Sequence, residues 1–164
     1  MVSAEQLDTL PKRLQAMAAR YGRSRVALRE KEYGIWQEYT WQDYLDHVRD
    51  FCLGLVSLGF RRGDKIAIVG DNRPEWLIAE LAAQSAGGTS VGIYQDSLAR
   101  EMAYVIDHSD AVVVVVEDQE QVDKILEVRD LIPKVRYLVC YDPKGLRTYT
   151  DPWLLYFPKV MELG

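Results

Sequence analysis

The stretch "KIAIVGDNRPEW", Lys65 to Trp76, decides how the chain is read. Lysine and four apolar residues run into Gly70 and a polar turn, Asp71-Asn72-Arg73. Pro74 and Glu75 then suit the first turn of a helix, because proline has no N–H to lose there and an acidic group favours the positive helix end. A strand that ends in a polar turn and feeds a helix is where α/β proteins place their ligands. The turn also has a structural account. Asn72 or Arg73 caps the helix, with asparagine the better capper at a worth of about 1 kcal/mol. Trp76 then packs into the core, and cutting it to alanine is expected to cost about 3–5 kcal/mol.

Downstream, the pattern alternates regularly. A helix over Pro74–Ala86 stops at Gly87-Gly88, and "TSVGI" (Thr89 to Ile93) is the next strand. Ser97 can cap a helix carrying Met102, Val105 and Ile106. "AVVVVV" (Ala111 to Val116) has no polar face, so it reads as a strand buried on both sides. Val122, Ile125, Leu126 and Arg129 mark another helix, broken by Pro133, before the strand Val135 to Cys140. Strands alternating with helices predict one parallel sheet of about four strands with helices on both faces.

Upstream, Thr9 and Pro11 open a helix with Leu10, Leu14, Met17 and Tyr21 at helical spacing, ended by Gly22. Arg25 to Glu30 and Ile35 to Tyr39 predict an antiparallel hairpin apart from the sheet. Thr40 with Asp43 has the form of a capping box before a long apolar stripe, and Gly59 with Phe60 suits its end. The fold class is therefore α/β, with a helix and a hairpin preceding the sheet. The tail from Pro143 to Gly164 fits no period. Its cluster Trp153-Leu154-Leu155-Tyr156-Phe157 must pack on something, either this domain or a partner.

At 164 residues the chain suggests one domain with a real core. A net charge of −5 without a basic run argues against nucleic acid. Cys52 and Cys140 sit in apolar patterns and read as small buried hydrophobes, not a disulfide or metal pair. The start, "MVSAEQLDTLPKRL", has no apolar core and is not read as a signal peptide, so a cytoplasmic setting is expected.

No phosphate-binding glycine loop, nucleophile elbow or His-Glu-x-x-His motif is present. His47 and His108 are isolated on helices, and Asp107 and Asp110 beside His108 read as a solvated helix end. No catalytic or metal-ligating residue is assigned. What remains is a rim of three polar turns at the carboxyl ends of the strands: Gly70 to Arg73, Tyr94-Gln95-Asp96 and Glu117-Asp118. Two of them lead into helix N-termini, where free N–H groups favour anions, and Arg73 could add a fork for phosphate or carboxylate. The plainer reading is that Asn72, Asp96 and Ser97 only cap their helices.

The run "GDKIAIVGDNRPEWLIAELAAQSAGGTSVGIYQDSLAREMAYVIDHSDAVVVVVEDQEQVDKI" resembles the N-terminal region of AMP-forming long-chain fatty-acid–CoA ligases, members of the adenylate-forming superfamily of acyl-CoA synthetases. "YGIWQEYTWQDYLDHV" and "DPKGLRTYTDPWLLYF" are similar to the same family's flanking sequence. The resemblance implies that residues 1–164 are the N-terminal portion of an AMP-binding domain, with 143–164 an irregular aromatic-rich tail leading into downstream sequence. It implies an activity in which ATP and a fatty acid form an acyl-adenylate and pyrophosphate, and the acyl group passes to CoA, with magnesium accompanying the nucleotide.

The family's Ser/Thr/Gly-rich phosphate loop and mobile C-terminal domain have no counterpart here. "DPKGL" (Asp142 to Leu146) has no Ser/Thr/Gly run before it and reads as a turn. The chain alone is therefore expected to be inactive. By strand position, the resemblance puts Tyr94, Gln95 and Asp96 near the path of CoA, while Asp71, Asn72 and Arg73 stay a structural turn. It further implies homodimer pairing in some members and membrane association through parts outside this stretch. The alternatives are a stand-alone α/β ligand-binding domain and a dimerisation or interaction module.

Overall fold

The computed structural model describes residues 7–164. Helix α1 (Leu10–Tyr21) is followed by β1 (Val26–Glu32) and β2 (Ile35–Thr40), then α2 (Trp41–Ser57). The alternating part runs β3 (Lys65–Val69), α3 (Pro74–Ser85), β4 (Thr89–Ile93), α4 (Ala99–His108), β5 (Ala111–Val116), α5 (Gln119–Glu127) and β6 (Tyr137–Cys140). It closes with β7 (Leu154–Tyr156) and α6 (Phe157–Glu162).

Strands β1 and β2 form the antiparallel hairpin, and the other five form one parallel sheet in the order β4-β3-β5-β6-β7. The four expected sheet strands all lie in it. Each helix start has a local cause. Thr9 accepts the N–H of Lys12, and Thr40 and Asp43 make the reciprocal capping box of α2.

The absence of a polar face on β5 follows from its position. Ile66, Ile68, Val113, Val115 and Val139 point into one core with Phe51, Leu55 and Ile78 of α2 and α3. Ala67, Val69, Val114, Val116, Leu138 and Cys140 point into a second core with Met102, Ile106, Val122 and Ile125 of α4 and α5. A strand covered on both faces has no reason to alternate.

The tail departs from its irregular reading. Leu154–Tyr156 pairs in parallel with Leu138–Cys140 as a fifth strand, and α6 turns back onto α2, with Phe157 stacked on Phe51 at 4.1 Å between ring centroids. Trp153 is buried in the second core, and its indole N–H donates to the Val135 carbonyl at 3.2 Å. A three-residue strand followed at once by a six-residue helix is too short to register as a period. The stretch from Asp142 to Trp153 is turns and loop. Strand β6 begins at Tyr137, two residues later than expected, because Pro133 and a turn precede it. Both cysteines are free, and burial pushes the Cys140 thiol up to about 12. Among the described residues no helix is long and apolar enough to cross a membrane.

Candidate functional site

The strand order places a reversal at β3. From β3 the chain passes over one face through α3 to β4, and from β5 it passes over the other face through α5 to β6. A crevice is expected at such a point, outside the carboxyl ends of β3 and β5. Here the protein fills it. Gly70 leaves β3 with φ 150°, and the Tyr141 hydroxyl and the Glu117 side chain crowd the place where a Cβ would stand. The Asp71 N–H donates to Glu117 Oε2 at 2.6 Å.

The open cavity lies one strand over, between the ends of β3 and β4. It is about 460 Å³ and is lined by Gly70, Asp71, Asn72 and Trp76 on one side and Gly92 to Asp96 on the other. The two expected turns therefore meet. Gln95 Nε2 donates to Asp71 Oδ1 at 2.8 Å, and Lys124 Nζ donates to the Gln95 carbonyl at 2.7 Å. Tyr94 projects from the rim, 88% exposed.

Three expectations about the rim need correction. Asn72 does not cap α3; it is exposed on the cavity wall, and Arg73 holds the N-cap position with extended backbone and no side-chain bond to the helix. Pro74 lacks one N–H, and the Trp76 N–H is met by the Arg73 carbonyl at 3.1 Å, so little is left for asparagine to cap. Neither Asp96 nor Ser97 caps α4. Leu98 is its N-cap, and the Glu101 carboxylate accepts the Leu98 N–H at 2.9 Å. Trp76 is only half-buried: part of its indole packs against the first core as expected, and the rest forms cavity wall, lying close against Gly92 of β4.

Arg73 does not serve the cavity as an anion fork. Its Nε donates to Glu30 Oε1 of β1 at 2.7 Å, and its Nη1 reaches Glu117 Oε1 at a looser 3.4 Å. Burial works against its charge, but the surrounding carboxylates more than compensate and hold it protonated. Beneath this group, Glu75 Oε2 and the Tyr141 hydroxyl are buried without a protein partner. Burial is the main cause that pushes both groups up; Glu30 and Glu32 add to it at Glu75, and Glu117 and Glu75 at Tyr141.

The cavity lining thus carries two carboxylates, two amides, a phenol and an indole but no lysine or arginine. Such a wall does not fit a triphosphate. Among the described residues there is no group of three or more His, Cys, Asp or Glu that could hold a metal ion. His47 packs edge-on against Tyr39 and His108 stacks on Tyr104, both away from the rim. Asp107 and Asp110 pair with Lys134. Lys144 pairs with Asp142 in the turn after β6. Sequence reasoning missed Glu30 and Lys124 as supports of the rim, because they come from elements 43 and 29 positions away from their partners.

The sequence has counterparts. It is 33% identical over 156 residues to the long-chain-fatty-acid–CoA ligase ACSBG2 of Xenopus laevis, covering 95% of this chain and 21% of that protein. The chain thus spans about a fifth of that relative's length. It is 38% identical over 117 residues to the uncharacterized protein Rv1549 of Mycobacterium tuberculosis, covering 71% of this chain and 63% of that one. Among solved structures, the A-PCP didomain of a carboxylic acid reductase from Segniliparus rugosus, in complex with AMP, superposes with a TM-score of 0.81 at 17% identity, over 98% of this chain and 27% of that one. The family described as AMP-binding enzyme matches residues 14–153. An α/β sheet of this order, continuous similarity to a ligase and a family match over most of the length lead to one statement: this chain belongs to the AMP-binding enzyme family.

Proposed function

We propose that residues 1–164 form the N-terminal portion of the AMP-binding domain of a long-chain fatty-acid–CoA ligase, which joins a fatty acid to CoA at the expense of ATP and releases AMP and pyrophosphate. One observation carries the proposal: 33% identity to such a ligase runs through 95% of the chain. Within that reaction the chain contributes the rim of the cavity. Tyr94, Gln95 and Asp96 face the CoA side, and a wall of amides, two carboxylates, a phenol and an indole without a cation suits an uncharged, hydrogen-bonding stretch of CoA better than its phosphates. The nucleotide phosphates and their magnesium are held elsewhere in the full protein. The setting proposed is the cytoplasm, with any membrane association or homodimer contact carried by the full-length protein.

The chain alone is inactive in this reading, because nothing in it positions a triphosphate and positioning carries much of such chemistry. Two measurements test it. The purified 164-residue chain gives no fatty-acid-dependent ATP–pyrophosphate exchange, and a long-chain ligase whose matching N-terminal region is replaced by this chain still forms acyl-CoA. Exchange by the chain alone, or a folded chimera without activity, overturns the reading.

A second reading is a stand-alone α/β ligand-binding domain. It is favoured by the Mycobacterium tuberculosis relative, of which the matched 117 residues already make up 63%. Calorimetric binding of CoA to the isolated, monomeric chain, together with a folded but inactive chimera, would support this reading over the first.

A further inference from the structure

The turn that walls the cavity is held from outside it. Arg73 reaches back to Glu30 on the hairpin and sideways to Glu117 at the end of β5. Glu117 spends its other oxygen on the Asp71 N–H, and the Asp71 carboxylate in turn accepts from Gln95 on the opposite rim. The side chains of Arg73, Glu30 and Glu117 are 25%, 15% and 14% exposed, so water competes weakly for these bonds. No member of the Glu30–Arg73–Glu117 group lines the cavity.

We propose that Arg73 is a positioning residue: it braces the cavity wall against the β1–β2 hairpin, and through Glu117 and Asp71 it sets where Gln95 stands on the far rim. The inference goes beyond the ligase reading and does not depend on any ligand. Its physical basis is geometric. A planar guanidinium presents its donors in a rigid, spread fork that reaches two carboxylates facing it from different elements, whereas a lysine ammonium is a compact point charge without that spread. With the bridge in place, the hairpin, the β3 turn and the β4 turn move as one body. Without it, Glu30 is left partly buried and unpaired, Glu117 keeps only the Asp71 N–H, and the link from hairpin to rim is cut.

The test is amide hydrogen exchange on the 164-residue chain, read residue by residue. Two rim amides report: the Asp71 N–H, bonded to Glu117, and the Ser97 N–H, bonded to the Tyr94 carbonyl. The interior amides of β5 report global opening. Hydrogen bonds to charged groups contribute about 1.5–3 kcal/mol, so Arg73→Ala accelerates both rim amides roughly ten- to hundredfold relative to β5. Arg73→Lys restores part of the protection at Asp71. Glu30→Ala, a change on the hairpin alone, accelerates Ser97 in the same direction. If Arg73→Ala does not fold, Arg73→Lys and Glu30→Ala decide the matter by the same readout. Rim exchange at the wild-type rate in these variants overturns the proposal. So does acceleration by the same factor in rim and β5, which would mark Arg73 as a contributor to overall stability only.

Discussion

The indole of Trp76 lies against Gly92 of the neighbouring strand: a Cβ added at Gly92 would stand 3.1 Å from Trp76 Cζ2. The glycine therefore decides how open the cavity is. Gly92→Ala is expected to push the indole outward, with a change in its fluorescence emission and a stability loss of about 1 kcal/mol in urea unfolding. Trp76→Ala is expected to cost about 1–3 kcal/mol, below the figure for a fully buried tryptophan, because the ring is half-exposed.

Asn72→Ala is expected to leave stability within about 0.5 kcal/mol of wild type in the same unfolding experiment. Its side chain is exposed and makes no bond to α3. A loss near 1 kcal/mol would mean that the side chain caps the helix after all.

Gly70→Ala is expected to lower stability by about 2–4 kcal/mol, seen as a clear drop in Tm. Two causes act together. The backbone has φ 150°, which L-residues rarely adopt, and the new methyl would meet the Tyr141 hydroxyl and Glu117 Cβ.

Glu75 supplies a pH prediction. Burial raises its folded-state pKa above the ordinary 4.5, helped by Glu30 and Glu32 and opposed by a backbone hydrogen bond and by Arg73. The folded state therefore binds this proton more tightly than the unfolded chain does. Stability from this group is present below the ordinary value and is lost as pH rises through the folded pKa. Glu75→Gln, which stays neutral, should gain on wild type as pH is raised from 4 to 7 in urea titrations. A difference that is constant across that range would show that the carboxylate titrates normally. Its place near the N-terminus of α3 acts the other way, favouring the charged form.

Much of the fold is legible in the chain, and the reasons are local. Ala111–Val116 can only be a strand covered on both faces. Thr40 with Asp43 announces α2 through bonds within one turn. What could not be read depends on distant partners. The Asp71-Asn72-Arg73 turn looks self-contained, yet its fixing bonds come from Glu117 and Glu30, 46 and 43 positions away. Ser97 has a capping side chain, but the bond is made by Glu101 in the reverse direction. Trp76 reads as a core residue because it is large and apolar. Only the neighbouring strand reveals that a glycine faces it.

Strand β7 and helix α6 have a consequence for how the chain is made. Phe157 and Val160 complete the core around Phe51, and the backbone of Val160 lies so close to Gly54 that no side chain fits between. A ribosome delivers α2 about a hundred residues before it delivers this cover. The part of α2 around Phe51 and Gly54 must wait for its cover until synthesis has passed residue 160. The nascent chain is thus most vulnerable to aggregation over that interval, and chaperone capture during synthesis should peak there and fall once α6 has emerged.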